Sequence, residues 1–82
     1  MANSWTGSIH TEGEYQTVAS LASFTFTEGK TYTMQVQNEC YLKISDAEFW
    51  IGNEKFNYTA GSDDLYIKTM YIPCTLTILE DA

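Results

Sequence analysis

Strict alternation of apolar and polar side chains is the feature that most limits this chain. In Thr31-Tyr32-Thr33-Met34-Gln35-Val36-Gln37 every second residue is large and apolar, and each one between is a threonine or glutamine. A two-residue period sends successive side chains to opposite faces of an extended strand, whereas a helix would scatter them around its axis. The same period recurs in Phe24-Thr25-Phe26-Thr27, in Tyr41–Ser45 with Leu42 and Ile44 inward, and in Leu65–Met70 with Leu65 and Ile67 inward. It returns in Cys74–Leu79, with Cys74, Leu76 and Ile78 inward. Turn residues separate these runs at short intervals, the pattern of a small all-β domain.

The turns are predicted from the same string. Glu28-Gly29-Lys30 joins Phe24–Thr27 to Thr31–Gln37 as a hairpin, with Gly29 free to take the positive φ that short loops need. Gln37-Asn38-Glu39-Cys40 reads as the next turn. Gly52-Asn53-Glu54 reads as the tip of a second tight hairpin, joining Phe49, Trp50 and Ile51 to Phe56 and Tyr58, and Ala60–Asp64 as the turn after it. Pro73 lacks an N–H donor and belongs before the last strand or on an edge. Ser4–Thr11 and Glu14–Ser20 are weaker strand candidates, the first alternatively an extended arm. Only Ser45–Trp50 competes for helix, because Ser45 and Glu48 have capping-box spacing. These segments predict a small β-sandwich or partly open barrel of about seven or eight short antiparallel strands. Residues 1–13 form an N-terminal arm or edge strand, and residues 14–82 a single domain.

Charge excludes whole classes of partner. The 82 residues carry 11 acidic side chains, four lysines, one histidine and no arginine, for a net charge of −7. Binding to nucleic acid depends on clustered Lys and Arg displacing counterions from phosphates, and anionic membranes recruit polybasic segments. Neither partner is expected. The opening MANSWTGSIH has neither the basic region nor the apolar stretch of an export signal. Cys40 and Cys74 are therefore expected as reduced thiols serving as small buried hydrophobes.

A catalytic set is hard to assemble. His10 is the single histidine and lies in the least patterned part of the chain. His10, Cys40 and Cys74 lack the paired spacing of a zinc site. Asp63 and Asp64 are the residues of a solvated turn; a weak calcium site there would have no loop signature behind it. There is no glycine-rich phosphate loop. The expectation is a protein that is not an enzyme, with no catalytic, cofactor-binding or metal-binding residues.

The aromatic residues are what remains: two tryptophans, six tyrosines and four phenylalanines. Most suit a core. Trp50, however, sits between Phe49 and Ile51, so alternation must turn outward either Trp50 or its two neighbours. Trp5 stands in the polar stretch Asn3–Ser8 with the same difficulty. Large apolar groups left outside mark contact surfaces. The interaction candidates are Trp5, Ile9, Trp50 and Tyr71.

Gly29 and Tyr32 lead into a strand that carries Gln35 and ends at Gln37-Asn38. An acidic Ser45-Asp46-Ala47-Glu48, the run Leu65-Tyr66-Ile67 and a closing Glu80 follow. In these features the chain resembles small all-β proteins encoded in tailed-phage structural modules. The resemblance spans residues 29–80; Ser4–Ser20 has no counterpart in it. It implies a virion structural protein made in the host cytoplasm, either a capsid decoration protein on the outer head surface or a small head–tail subunit. Its partners would be the major capsid protein or another virion protein, together with further copies of itself. The alternative is a small acidic binding module, either a carbohydrate-binding β-sandwich or an inhibitor that mimics nucleic acid.

Overall fold

The computed structural model describes residues 3–81. Six strands and one short helix follow in the order β1 (Ser4–Ile9), β2 (Gln16–Thr17), α1 (Val18–Ala22), β3 (Thr31–Ile44), β4 (Ala47–Thr59), β5 (Leu65–Lys68) and β6 (Cys74–Glu80). All pairings are antiparallel and belong to one curled sheet in the order β1-β6-β3-β5-β2, with β4 along the other side of β3. The all-β architecture read from the alternation is thus the observed one, as a partly open barrel.

Strand β3 organises the sheet. Its first half, Tyr32–Gln37, pairs with β6, and its second half, Tyr41–Ile44, pairs with β5, while β4 runs beside both halves. The curl encloses the alternating apolar set: Tyr32, Met34, Val36, Cys40 and Leu42 from β3, Leu65 and Ile67 from β5, and Cys74, Leu76 and Ile78 from β6 are all buried. Cys40 and Cys74 are free thiols within this core. Phe24, Phe26, Tyr32 and Tyr58 fill one end of it, with ring centroids 5.0–5.8 Å apart and edge-on or tilted geometry, an arrangement aromatic quadrupoles favour.

Several local expectations are corrected. Among the described residues there are six strands where about seven or eight were expected, because two predicted turns lie inside long strands. Gln37–Cys40 is a β-bulge: Val36 faces Glu54 and Glu39 faces Gly52, so Gln37 and Asn38 together oppose the single residue Asn53. Asn38 and Asn53 both take positive φ, 74° and 49°, a conformation asparagine tolerates better than most residues. The Asn38 backbone N–H also donates to Asn53 Oδ1 at 3.0 Å. The chain therefore bends at these residues without reversing.

The reversal falls at Ser45-Asp46, where a helical turn competed. Ile44 faces Ala47 across a two-residue loop, with Ser45 at φ 54°. Glu28-Gly29 does form a turn with Gly29 at φ 89°, but Phe24–Thr27 is not a strand. Its two rings drop into the core, and the turn docks on the end of β4 through Gly29 N–H to Ala60 O at 2.8 Å. Glu14–Ser20 gives only the two-residue β2 before α1 begins. Thr17 caps that helix, its hydroxyl accepting from Ser20 N–H at 3.3 Å, and Val18 and Ala22 bury its inner side. Ser4–Ile9 is an edge strand, fully paired with β6 from Ser4 opposite Leu79 to Ile9 opposite Cys74.

Candidate interaction surface

Two tryptophans stand two residues before a glycine, in Trp5-Thr6-Gly7 and Trp50-Ile51-Gly52. Residues i and i+2 of a strand share a face, and in both places the indole lies down over the glycine. A Cβ built on Gly7 would come within 2.6 Å of Trp5 Cζ2, and one on Gly52 within 2.7 Å of Trp50 Cζ2. The missing side chain is what lets each ring lie flat against its own strand. The two rings have different surroundings. Trp5 shares the inner face with Ile9 and packs against the core, half-buried. Trp50 lies on the outer face beside its cross-strand partner Tyr41 and remains 55% exposed.

The loop between β5 and β6 rises next to Trp50. Two buried threonines clamp its start: Thr11 N–H donates to Thr69 Oγ1 at 2.8 Å, and Thr69 N–H donates to Thr11 Oγ1 at 2.9 Å. Gly13 N–H adds a bond to Thr69 O at 2.7 Å. Its far end is held by Asn38 Nδ2 donating to Pro73 O at 3.3 Å. Fixed at both ends, the loop carries Met70, Tyr71 and Ile72 outward; Tyr71 is 90% exposed. A cleft of about 240 Å³ joins Tyr71 and Ile72 to Tyr41. A second, of about 320 Å³, joins Ile72 to Trp50, Gly52, Glu39 and the bulge asparagines.

Tyr41, Trp50, Met70, Tyr71 and Ile72 thus form one continuous apolar strip. With roughly 150–250 Å² per aromatic side chain, their exposed fractions amount to on the order of 500 Å². That is the upper part of the range for the largest patch on a monomer, where such patches are often functional. A standard interface takes roughly 800 Å² per partner, so the strip could supply most of the centre of one.

One flank of the strip is polar. The Tyr15 hydroxyl donates to Glu48 Oε1 at 2.7 Å, and Lys68 Nζ sits 4.7 Å from the Tyr15 ring centre and 5.1 Å from that of Tyr41. Lys43 Nζ lies 5.5 Å from the Tyr15 ring. Burial, then the hydrogen bond and charge of Glu48, push the Tyr15 pKa up from 10.0 to about 12.

Of the four residues singled out from sequence, the structure brings Trp50 and Tyr71 onto one surface. Ile9 is only 3% exposed and is corrected to a core residue, because it follows Trp5 and Gly7 on the inner face of β1. Trp5 is a half-buried packing group on that same face. Tyr41, Met70 and Ile72 were missed. The signal for two of them was Met70-Tyr71-Ile72 before Pro73, three consecutive large apolar residues that no strand alternation could bury together. Among the described residues, no group of three or more His, Cys, Asp or Glu is gathered as a metal ion would need.

No protein-family model and no curated protein matches the sequence. Among solved structures, the solution NMR structure of a de novo designed double-stranded β-helix matches with a TM-score of 0.69, covering 96% of this chain and 99% of that one at 11% identity. At that identity the likeness concerns fold alone: the chain is built like a double-stranded β-helix.

Proposed function

We propose that the chain is a non-enzymatic structural subunit of a phage virion, a capsid decoration protein that docks on the outer head surface. The observation that carries the proposal is the continuous apolar strip of Tyr41, Trp50, Met70, Tyr71 and Ile72, held on a pinned loop and an outward sheet face. The loop part of this surface, pinned at both ends, loses little conformational entropy on docking. The net charge of −7 suits a shell exterior away from packaged DNA, and the resemblance of residues 29–80 to phage structural modules supplies the setting. Many copies, each adding one interface, would stiffen the shell mechanically. The partner is the major capsid protein, with further copies of this chain as neighbours.

The test is co-sedimentation of the purified protein with tailed-phage heads lacking it. Saturable binding that raises the temperature of head disruption supports the proposal. Absence of binding to heads and tails alike removes it. One observation favours a second role, carbohydrate binding: the Trp50 ring lies flat over Gly52, the posture of a sugar-stacking platform. A glycan array separates the two, since decoration requires no sugar.

A further inference from the structure

Strand β1 ends the sheet on one side: it pairs with β6, and among the described residues no other strand pairs with it. The phase of that pairing shows which backbone groups face outward. Glu80 N–H donates to Asn3 O at 2.9 Å, and the register that sets Ser4 opposite Leu79 also sets Asn3 opposite Glu80. Antiparallel strands alternate between pairs that exchange both backbone bonds and pairs that exchange none. Asn3, Trp5, Gly7 and Ile9 therefore bond to β6. The N–H and C=O groups of Ser4, Thr6 and Ser8 point away from it, and all three residues are exposed.

An open sheet edge is a template for pairing, and folded chains usually blunt it with charge, proline or a bulge. The other edge strands here are blunted. Strand β4 carries Glu48, Glu54 and Lys55 and is kinked at Asn53 by the bulge, and β2 is two residues long. Strand β1 has none of these devices: Ser4–Ile9 contains no charged residue, no proline and no positive φ. In a chain of net charge −7, that makes β1 the edge where two copies can meet without setting like charges opposite one another.

We propose that β1 pairs antiparallel with β1 of a second copy of this chain, around a two-fold axis at Thr6, joining two sheets into one. The strand is self-complementary in that register. Ser4 faces the partner's Ser8, Thr6 faces the partner's Thr6, and Ser8 faces the partner's Ser4, so each outward backbone group finds a partner and each pair exchanges two bonds. On the outer face hydroxyl stands opposite hydroxyl, a favourable cross-strand combination. The chain already contains one such pair, Thr6 Oγ1 donating to Thr77 Oγ1 at 3.3 Å. On the inner face each Trp5 stands opposite the partner's Gly7. That glycine has no side chain to obstruct the indole, and the ring, lying flat over its own Gly7, does not hold the partner strand away. A strand of an unrelated protein would meet the same backbone groups without placing a glycine opposite Trp5. The contact is isologous, so it closes at two chains. It lies apart from the docking strip and goes beyond the capsid reading, which would survive its failure.

The experiment is sedimentation equilibrium of the purified protein, paired with amide hydrogen exchange followed by NMR. Small interfaces are weak, so the mass should rise from one chain towards two between roughly 10 µM and roughly 1 mM. Over that range the amides of Ser4, Thr6 and Ser8 should gain protection, while those of Trp5, Gly7 and Ile9, bonded to β6, are protected throughout. Ser8→Pro removes an outward N–H that the single chain does not use, a position where an edge strand tolerates proline. Thr6→Lys keeps every backbone group and sets two like charges face to face on the axis. Each should weaken association by about tenfold or more; if Ser8→Pro does not fold, Thr6→Lys decides. Tyr71→Ser should leave the dimer unchanged. A single-chain mass at every concentration, a mass beyond two chains, or a dimer whose Ser4, Thr6 and Ser8 amides exchange as in the monomer would overturn the proposal. So would association that Thr6→Lys leaves intact or that Tyr71→Ser abolishes.

Discussion

Gly7 and Gly52 do the same local job, yet they should respond differently to one added methyl. At Gly52 the obstructing atoms are the tip of an exposed indole, which can swing into water at little cost. At Gly7 they belong to Trp5, which is packed against the core, so the ring must be forced off its rotamer or the strand must move. Gly7→Ala should therefore cost about 1–3 kcal/mol, the usual range for overpacking, and Gly52→Ala less than about 0.5 kcal/mol; urea denaturation measures both. Tyr15 gives a second prediction at this scale. Its folded pKa of about 12 lies above the ordinary 10.0, so the folded state holds the phenol proton more tightly than the unfolded chain. The stabilisation is complete below pH 10 and is lost as pH rises through about 12. Ultraviolet titration should show late ionisation from Tyr15 and from Tyr58, whose pKa burial also raises, and the step about two units late should disappear in Tyr15→Phe. In Glu48→Gln that step should move down only part of the way, since burial, the larger cause, remains.

The elements show where local signals mislead. Alternation identified the buried sides of β3, β5 and β6, because a two-residue period has only one strand-like interpretation. The turn chemistry was ambiguous: Gln37-Asn38-Glu39 and Gly52-Asn53-Glu54 carry residues suited to positive φ, and a bulge needs the same residues as a hairpin. What separates the two outcomes is whether pairing resumes beyond the kink. Here it does, from Glu39 opposite Gly52 to Ile44 opposite Ala47, a fact that depends on both strands at once. Helix α1 was missed for a related reason. Its five residues are too few to show a helical period, and its only local cue is Thr17 as cap. The bulge makes a firm prediction. Asn38→Val puts a β-branched side chain at φ 74° and removes the bond to Pro73 O, so it should destabilise by about 1–3 kcal/mol. Asn38→Gly keeps the backbone free and loses only that bond, for about 0.5–1.5 kcal/mol. If the two variants melt alike, positive φ is not what holds the bend.

At the scale of the molecule, area scaling for a 9.3 kDa chain gives roughly 5,000 Å² of folded surface, and the observed value is 5014 Å². The apolar strip is therefore not the by-product of a loosely packed monomer; the chain closes as far as its size allows and still leaves Trp50, Tyr71 and Ile72 outside. The all-β class was legible because every long segment shared one period. The strip was not, since it joins Tyr41 and Trp50 on the long hairpin to a loop some twenty residues further on, and long-range pairing of β3 with both β5 and β6, Tyr41 opposite Lys68 and Gln37 opposite Thr75, brings them together. Its consequence can be measured on the free protein and on the assembly together. Tyr71 is 90% exposed, so Tyr71→Ser removes almost no intramolecular packing and should change folding stability by less than about 0.5 kcal/mol. If the strip is a docking surface, the same change removes a central aromatic anchor and should cost about 2 kcal/mol or more of binding, a loss of roughly thirtyfold in affinity for phage heads. Unaltered melting with weakened co-sedimentation is the expected pair of results. Unaltered melting with unaltered binding would move the contact elsewhere on the surface, and a lowered melting temperature would mean that Tyr71 supports the fold.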